Sequence, residues 1–156
     1  MDSRSLARGG VYAAAYAALT LAPGLNGLAY GQIQFRVAEG LTVFATVDPA
    51  AVPGLALGTA IANVASPMGV VDVIYGALLT LVAVAIMHRV GPRWPALLVP
   101  VIVNGFGVPV ELALILHLPF WPSVAWVSLG EAVVLLTVGM ILLGAIRRGV
   151  WRLPHG

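Results

Sequence analysis

Apolar residues fill almost the whole chain in six segments, which proline, glycine and a few polar residues separate. Inside a membrane the backbone must satisfy its own N–H and C=O groups, so such segments fold as helices. Hydrophobic residues make up 60% of the chain and charged residues only 9%, whereas soluble domains carry about 25% charged residues. The sequence therefore predicts an all-α integral membrane protein with a single membrane domain over residues 1–156.

Proline and glycine mark the predicted helix ends, because both punctuate helical segments. The predicted helices span residues 10–23, 36–47, 50–65, 69–89, 95–116 and 122–147. The second and third are short for membrane spans, which need about 20 residues, so we expect them to tilt or to lie within the bundle. The basic start of the first segment resembles a signal peptide, but no clear cleavage site follows, and we interpret it as a retained helix.

The arginines predict the orientation of these six spans. Seven of the eight arginines fall on the same side as both ends of the chain, and only Arg36 falls on the other side. Basic residues concentrate in cytoplasmic segments of membrane proteins. We therefore expect a multi-pass protein of the plasma membrane with both termini in the cytoplasm.

Two residue types are missing, and their absence excludes several function classes. The chain has no cysteine, which removes disulfides, thiolate metal sites and cysteine nucleophiles. All its basic residues are arginine, so it lacks the P-loop lysine that binds ATP phosphates. We expect neither cofactor nor metal, and energised transport would depend on a partner protein or an ion gradient.

Acidic residues inside the apolar segments are the main functional signal, because an intramembrane acid is costly unless it faces protein, water or a ligand. Four such residues lie within the segments or at their rims: Glu39, Asp72, Glu111 and Glu131. The predicted topology places them roughly 5 to 14 Å from the outer boundary, at 1.5 Å per residue. Asn63 lies near the outer end of the third helix, and Asn104 lies seven residues before Glu111 on the same helix face, so we expect one polar pocket in the outer half of the bundle.

The four acids differ in their local partners. Arg36 and Glu39 are spaced i,i+3, which permits an interfacial salt bridge, although Glu39 is deeper and is expected to face the pocket. Asp72 lies near a helix start, where the helix dipole favours an acid, so we interpret it as structural. Glu111 and Glu131 have no arginine within four residues and are the strongest ligand candidates.

Other features extend the predicted pocket. Residues 23–36 form a glycine-rich, polar stretch that includes Gln34, and we expect a lid or pocket wall there. Trp126 lies five residues before Glu131 and could present its ring to a planar ligand. Gly54 and Gly58 suit close helix packing within the bundle.

Four stretches of the chain read YGQIQFRVAEGLTV (30–43), PGLALGTAIANVASPMGVVDVIYGALLTL (53–81), VNGFGVPVEL (103–112) and LPFWPSVAWVSLGE (118–131). Together they resemble the QueT family, the substrate-binding S-components of energy-coupling factor (ECF) transporters for queuosine precursors. The resemblance covers roughly residues 10–147.

The resemblance implies a six-helix S-component fold with an outward-facing pocket for a 7-deazaguanine such as preQ1, preQ0 or queuine. It also implies docking on a membrane scaffold subunit and two ATPases through an alanine motif of the first helix, here Ala13 and Ala17. A deazaguanine presents N1–H and an amine side by side, which one carboxylate can accept together. Asn63, Asn104 or Gln34 would donate to its carbonyl oxygen.

Two other function classes remain open on the sequence. One is a stand-alone, proton-coupled secondary transporter of a small polar or cationic molecule, in which the buried acids relay protons. The other is a small membrane enzyme, which no histidine-rich cluster or nucleophile motif supports. The sequence determines neither the exact precursor nor the ATPase module.

Overall fold

The computed structural model describes residues 2–22 and 35–150, and these fold entirely into helices and their connections. All six predicted segments are helical. We number them α1 to α6, with these bounds: α1 Ser3–Leu21, α2 Val37–Thr46, α3 Ala51–Asn63, α4 Val70–Val90, α5 Trp94–Ile115 and α6 Phe120–Arg147.

Helix α1 begins at Ser3 rather than at the predicted residue 10. The Asp2 carboxylate caps the helix by accepting a hydrogen bond from the Ser5 backbone N–H at 2.9 Å, as Asp commonly does at an N-cap. The prediction followed the start of the apolar run and therefore missed this polar first turn.

Helix α2 is a 3₁₀-helix of 10 residues, which is long for that geometry. Two threonine hydroxyls donate to carbonyls three residues earlier, Thr42 to Glu39 at 2.6 Å and Thr46 to Val43 at 2.7 Å. Most of its side chains are buried. The prediction that a short segment lies within the bundle is thus confirmed for α2.

Two apolar clusters meet at α2. Its residues Ala38 and Ala45 pack with Tyr12, Tyr16 and other side chains of α1, α3 and α4. Val43 of α2 belongs to a second cluster, which also contains Met87 of α4 and side chains of α5 and α6. Helix α2 therefore joins the two halves of the bundle.

Helices α1 and α3 approach closely because small residues face each other. A Cβ atom on Gly54 would lie 2.5 Å from the Gly9 carbonyl oxygen, and one on Gly58 would lie 2.8 Å from the Ala13 carbonyl oxygen. Small residues allow this approach between helices in a membrane. The predicted packing role of Gly54 and Gly58 is confirmed.

Within residues 2–22 and 35–150, three helices are long and apolar enough to cross a membrane: α4, α5 and α6. Large apolar side chains lie on their outer surfaces, including Ile74 at 60%, Ile102 at 59% and Leu136 at 53% exposed. Apolar surface of this extent is expected where a protein faces lipid rather than water. Helices α2 and α3 are shorter apolar helices within the described residues.

Candidate ligand-binding site

Buried polar side chains gather between the helices in what we call the polar cluster. Its members are Tyr16, Arg36, Glu39, Asn63, Asp72, Asn104 and Glu131. They come from α1, the start of α2, α3, α4, α5 and α6. Six segments of the sequence thus converge on one region, which includes five of the predicted ligand-binding residues.

The first part of the polar cluster joins α1 to α2. The Tyr16 hydroxyl donates a hydrogen bond to Glu39 Oε1, and both residues are buried. Arg36 Nη1 lies 4.0 Å from the same Glu39 oxygen. The predicted i,i+3 pair is therefore present, with a tyrosine hydroxyl as an additional partner for the carboxylate.

The second part joins α3 to α4. Asn63 Nδ2 donates to Asp72 Oδ1 at 2.8 Å and to the Asp72 backbone carbonyl at 2.9 Å. Gly76 makes room for this pair, because a Cβ there would lie 2.5 Å from Asn63 Nδ2. Asp72 is therefore tied to a neighbouring helix as well as lying at its own helix start.

The third part joins α5 to α6. Asn104 Nδ2 donates to Glu131 Oε1 at 2.7 Å. The helices approach closely beside this pair, since a Cβ on Gly105 would lie 2.2 Å from Ser128 Oγ. This close approach lets the short Asn104 side chain reach the carboxylate on α6.

A small cavity of about 10 Å³ lies among these groups, which is about the space of one water molecule. Arg36, Asp72, Asn104 and Glu131 form the charged and amide part of its lining. The rest of the lining comes from smaller or apolar residues: Gly76, Leu79, Thr80 and Val108. A bicyclic ligand is larger than this cavity, so its binding requires neighbouring side chains or helices to move apart.

Several buried oxygen atoms of the polar cluster have no hydrogen-bond partner within the described residues. They are Glu39 Oε2, Asn63 Oδ1, Asp72 Oδ2 and Glu131 Oε2. Buried polar atoms are nearly always paired in folded proteins. All four are acceptors, so the arrangement is suited to a ligand rich in N–H donors.

Glu111 occupies a different position from Glu131. It lies in an apolar groove of about 90 Å³ between α4 and α5, together with Tyr75 and Leu114. It is 3% exposed, and neither carboxylate oxygen has a hydrogen-bond partner in the part of the chain described here. Val71, which directly precedes Asp72 in the chain, lines the same groove, so Glu111 lies near the polar cluster without lining the cavity.

Trp126, Ala13 and Ala17 do not line the cavity. Trp126 is 43% exposed on the surface of α6. Gln34 falls outside the described residues, as does most of the predicted lid. Ala13 and Ala17 are buried, and Ala13 packs against Gly58 of α3.

For two members of the polar cluster, the structure shows a role that the sequence analysis did not predict. Tyr16 was not identified, although its spacing of i,i+4 from Tyr12 places two polar tips on one face of α1. Asp72 was interpreted as structural, yet it also lines the cavity. Its spacing of four residues from Gly76 was a signal that another side chain approaches α4 at that level.

The donor chemistry does not indicate a metal centre. Within residues 2–22 and 35–150, no group of three His, Asp or Glu side chains is arranged to hold a metal ion. The three acids of the polar cluster, Glu39, Asp72 and Glu131, instead have amide, hydroxyl or guanidinium groups as partners.

Comparison with known proteins identifies the family. The model of the QueT transporter family matches residues 6–148. The chain belongs to this family. The resemblance drawn from the four sequence stretches is therefore confirmed.

A curated relative is similar over part of its length. The Queuosine precursor transporter QueT of Lactococcus lactis subsp. cremoris (strain MG1363) is 43% identical over 72 residues. The alignment covers 46% of this chain and 42% of the relative, so this chain spans less than half the length of that protein. No solved structure matches the chain.

Proposed function

We propose that this protein is the substrate-binding S-component of an ECF-type importer and captures a queuosine precursor from outside the cell. Membership of the QueT transporter family supports uptake, and the name of the Lactococcus lactis relative, a queuosine precursor transporter, supports the substrate class. The observation that carries the proposal is the buried polar cluster, whose unpaired acceptors suit a flat, donor-rich heterocycle.

The chemistry of a 7-deazaguanine fits the atoms of the polar cluster. Its N1–H and exocyclic amine form a pair of parallel donors that one carboxylate, such as Glu131 or Asp72, can accept. Its carbonyl oxygen needs a donor, which the Asn104 or Asn63 amide supplies on rotating away from its present partner. Gln34 remains a further candidate donor.

The charge of the site favours a ligand that also carries an ammonium group. Four buried acids lie at or beside the polar cluster: Glu39, Asp72, Glu111 and Glu131. Arg36 is the one arginine among the groups that line or adjoin the described cavity. Burying unbalanced charge is costly, so a bound cation stabilises the site. The aminomethyl group of preQ1 supplies a cation, whereas the nitrile of preQ0 does not.

The membrane arrangement in this proposal follows the arginines. Helices α1 to α6 would all span the membrane, with α2 and α3 short and both termini in the cytoplasm. The polar cluster would then open to the outside. Arg8 bonds to Asp48 at 3.0 Å between α1 and the α2–α3 connection, which would lie at the cytoplasmic end.

The energy for transport would come from other subunits. A scaffold membrane protein and two ATPases would dock on this chain, since its own sequence has no P-loop lysine. The small-residue pair exposed on α1 is Ala14 with Ala18, whereas Ala13 and Ala17 are buried. We therefore propose that Ala14 and Ala18 contact the scaffold in place of the pair predicted from the sequence.

Ligand capture is tested with the purified protein in detergent, by native mass spectrometry and by titration with preQ1, preQ0 and queuine. We expect one ligand per chain and tightest binding for a cationic compound. Glu131→Gln should weaken binding about tenfold or more, because a charge-assisted hydrogen bond contributes about 1.5–3 kcal/mol. The affinity of Glu111→Gln is measured in the same way. Unchanged affinity in both variants contradicts the assigned site.

Transport is tested in vesicles. Purified chain alone should bind substrate without accumulating it, and accumulation should require scaffold, ATPases and ATP together. Uptake by the chain alone under a proton gradient would establish the secondary-transporter function instead. Absence of binding to all three 7-deazaguanines would refute the substrate assignment.

A further inference from the structure

Tyr16 contacts Glu39, the carboxylate that α2 contributes to the polar cluster. It is fully buried at 0% exposure, among the side chains where α1, α2 and α3 meet. Its hydroxyl donates to Glu39 Oε1. The other oxygen, Glu39 Oε2, is buried and has no hydrogen-bond partner among the residues described.

This bond decides which way the Glu39 carboxylate turns. Arg36 lies one turn earlier, with its Nη1 atom 4.0 Å from Oε1, which is the outer limit for an ion pair. Without the hydroxyl, the carboxylate is free to close onto Arg36 as an ordinary i,i+3 pair. The tyrosine therefore keeps Glu39 oriented and keeps one oxygen available.

The orientation matters because Glu39 acts on the cavity. Glu39 adjoins Arg36, which lines the cavity and whose Nη1 atom lies 4.0 Å from Glu39 Oε1. The Tyr16 ring is itself held by close packing, since a Cβ on Gly58 would lie 2.8 Å from Tyr16 Cβ. A group whose own position is fixed by packing can preorganise the group it bonds.

We propose that Tyr16 is a positioning residue for ligand binding, which acts by orienting the Glu39 carboxylate toward the ligand's cationic group. The role rests on the proposed function, because it takes the cavity of the polar cluster to be the ligand site. Tyr16 does not itself touch the ligand in this proposal.

Tyr12 provides a matched control on the same helix. It lies one turn from Tyr16, is 6% exposed, and donates its hydroxyl to a carboxylate, Asp48 Oδ2, at 3.1 Å. Asp48 also accepts from Arg8 and lies away from the cavity lining. Tyr12→Phe and Tyr16→Phe therefore remove the same atom from similar surroundings, and only the second removal affects the polar cluster.

The experiment measures preQ1 affinity by titration of purified wild type and both variants. We expect Tyr16→Phe to weaken binding about tenfold, as loss of a hydrogen bond to a charged group does, and Tyr12→Phe to change it less than twofold. Equal affinity of Tyr16→Phe and wild type overturns the proposal. A wild type that binds none of the three 7-deazaguanines refutes the proposed function, and with it this role.

A double-mutant cycle separates positioning from general structural support. In a Glu39→Gln background, Tyr16→Phe should cause no further loss of affinity, because Tyr16 acts through that carboxylate. In a Glu131→Gln background the two losses should add. Additive losses with Glu39→Gln overturn the proposal. Failure of Tyr16→Phe to fold while Tyr12→Phe folds also overturns it, since the hydroxyl would then serve the fold itself.

Discussion

Glu111 occupies a costly position in the fold. It is 3% exposed, and both of its carboxylate oxygens are buried without a hydrogen-bond partner in the described part of the chain. Most lining residues of its groove are apolar. A group that costs stability and is retained indicates a function, because natural proteins depart from stable packing mainly at functional sites.

Replacing this carboxylate with an apolar side chain should therefore stabilise the ligand-free protein. We expect Glu111→Met to raise the free energy of unfolding by about 1–3 kcal/mol, the cost of an unsatisfied buried polar group. The measurement is the melting temperature in detergent. Glu131→Met is the comparison: it should lower stability, because it leaves the Asn104 amide without its partner. A lower melting temperature for Glu111→Met would contradict this account.

At the scale of the elements, the contact between α1 and α3 depends on glycine. A Cβ on Gly54 would lie 2.5 Å from the Gly9 carbonyl oxygen and 3.0 Å from Gly9 Cα. Because the obstructing atoms are backbone, no rotation of a side chain relieves the clash. The helices themselves would have to separate.

Gly54→Ala should destabilise the protein by about 1–3 kcal/mol, the usual cost of overpacking. Thermal unfolding in detergent measures the effect. Gly10→Ala is the control, since a Cβ at Gly10 meets no atom within 4 Å, and alanine favours a helix over glycine. Equal melting temperatures for the two variants would show that α1 and α3 adjust without cost.

The same scale shows where sequence prediction was limited. Proline and glycine positions predicted all six helices, and the ends of α3, α4 and α5 lie within two residues of the predicted ends. The 3₁₀ geometry of α2 and the π-helical turn Leu135–Gly139 in α6 were not predicted. Both depend on neighbours: a Cβ on Gly40 of α2 would lie 2.7 Å from Val138 Cγ1 of that turn.

At the scale of the whole molecule, the exposed face of α1 is the candidate surface for the scaffold subunit. Ala14 and Ala18 lie on it beside Val11, which is 67% exposed. A small-residue face lets another helix approach closely. Ala13 and Ala17 lie on the opposite, buried face.

Ala14→Trp should thus prevent co-purification with the scaffold subunit and leave ligand binding unchanged. Ile102→Trp is the control, because Ile102 is 59% exposed on α5 and its enlargement should not affect assembly. Ala13→Trp should instead reduce the yield of folded protein, since its side chain packs within the bundle. Normal assembly of Ala14→Trp would place the partner surface on another face.

The sequence by itself determined the helical class, the six segments, the family and most members of the polar cluster. These depend on local quantities: apolar length, helix-breaking residues and the cost of an acid in an apolar segment. Glu39 and Glu131 were identified for that reason, whereas Asn63 and Asn104 were identified from their positions on the predicted helices. The substrate class and the transport partners remain proposals that rest on the family.

The tertiary structure alone decided how these residues are paired. It separated Glu111 from Glu131, placed Asp72 in the cavity lining, turned Trp126 to the surface and added Tyr16 to the polar cluster. Each of these depends on which helix faces lie together. On α1, Ala13 and Ala14 are adjacent in sequence, yet one is buried and the other exposed, because successive residues of a helix point about 100° apart and only the packing against α3 selects the buried face.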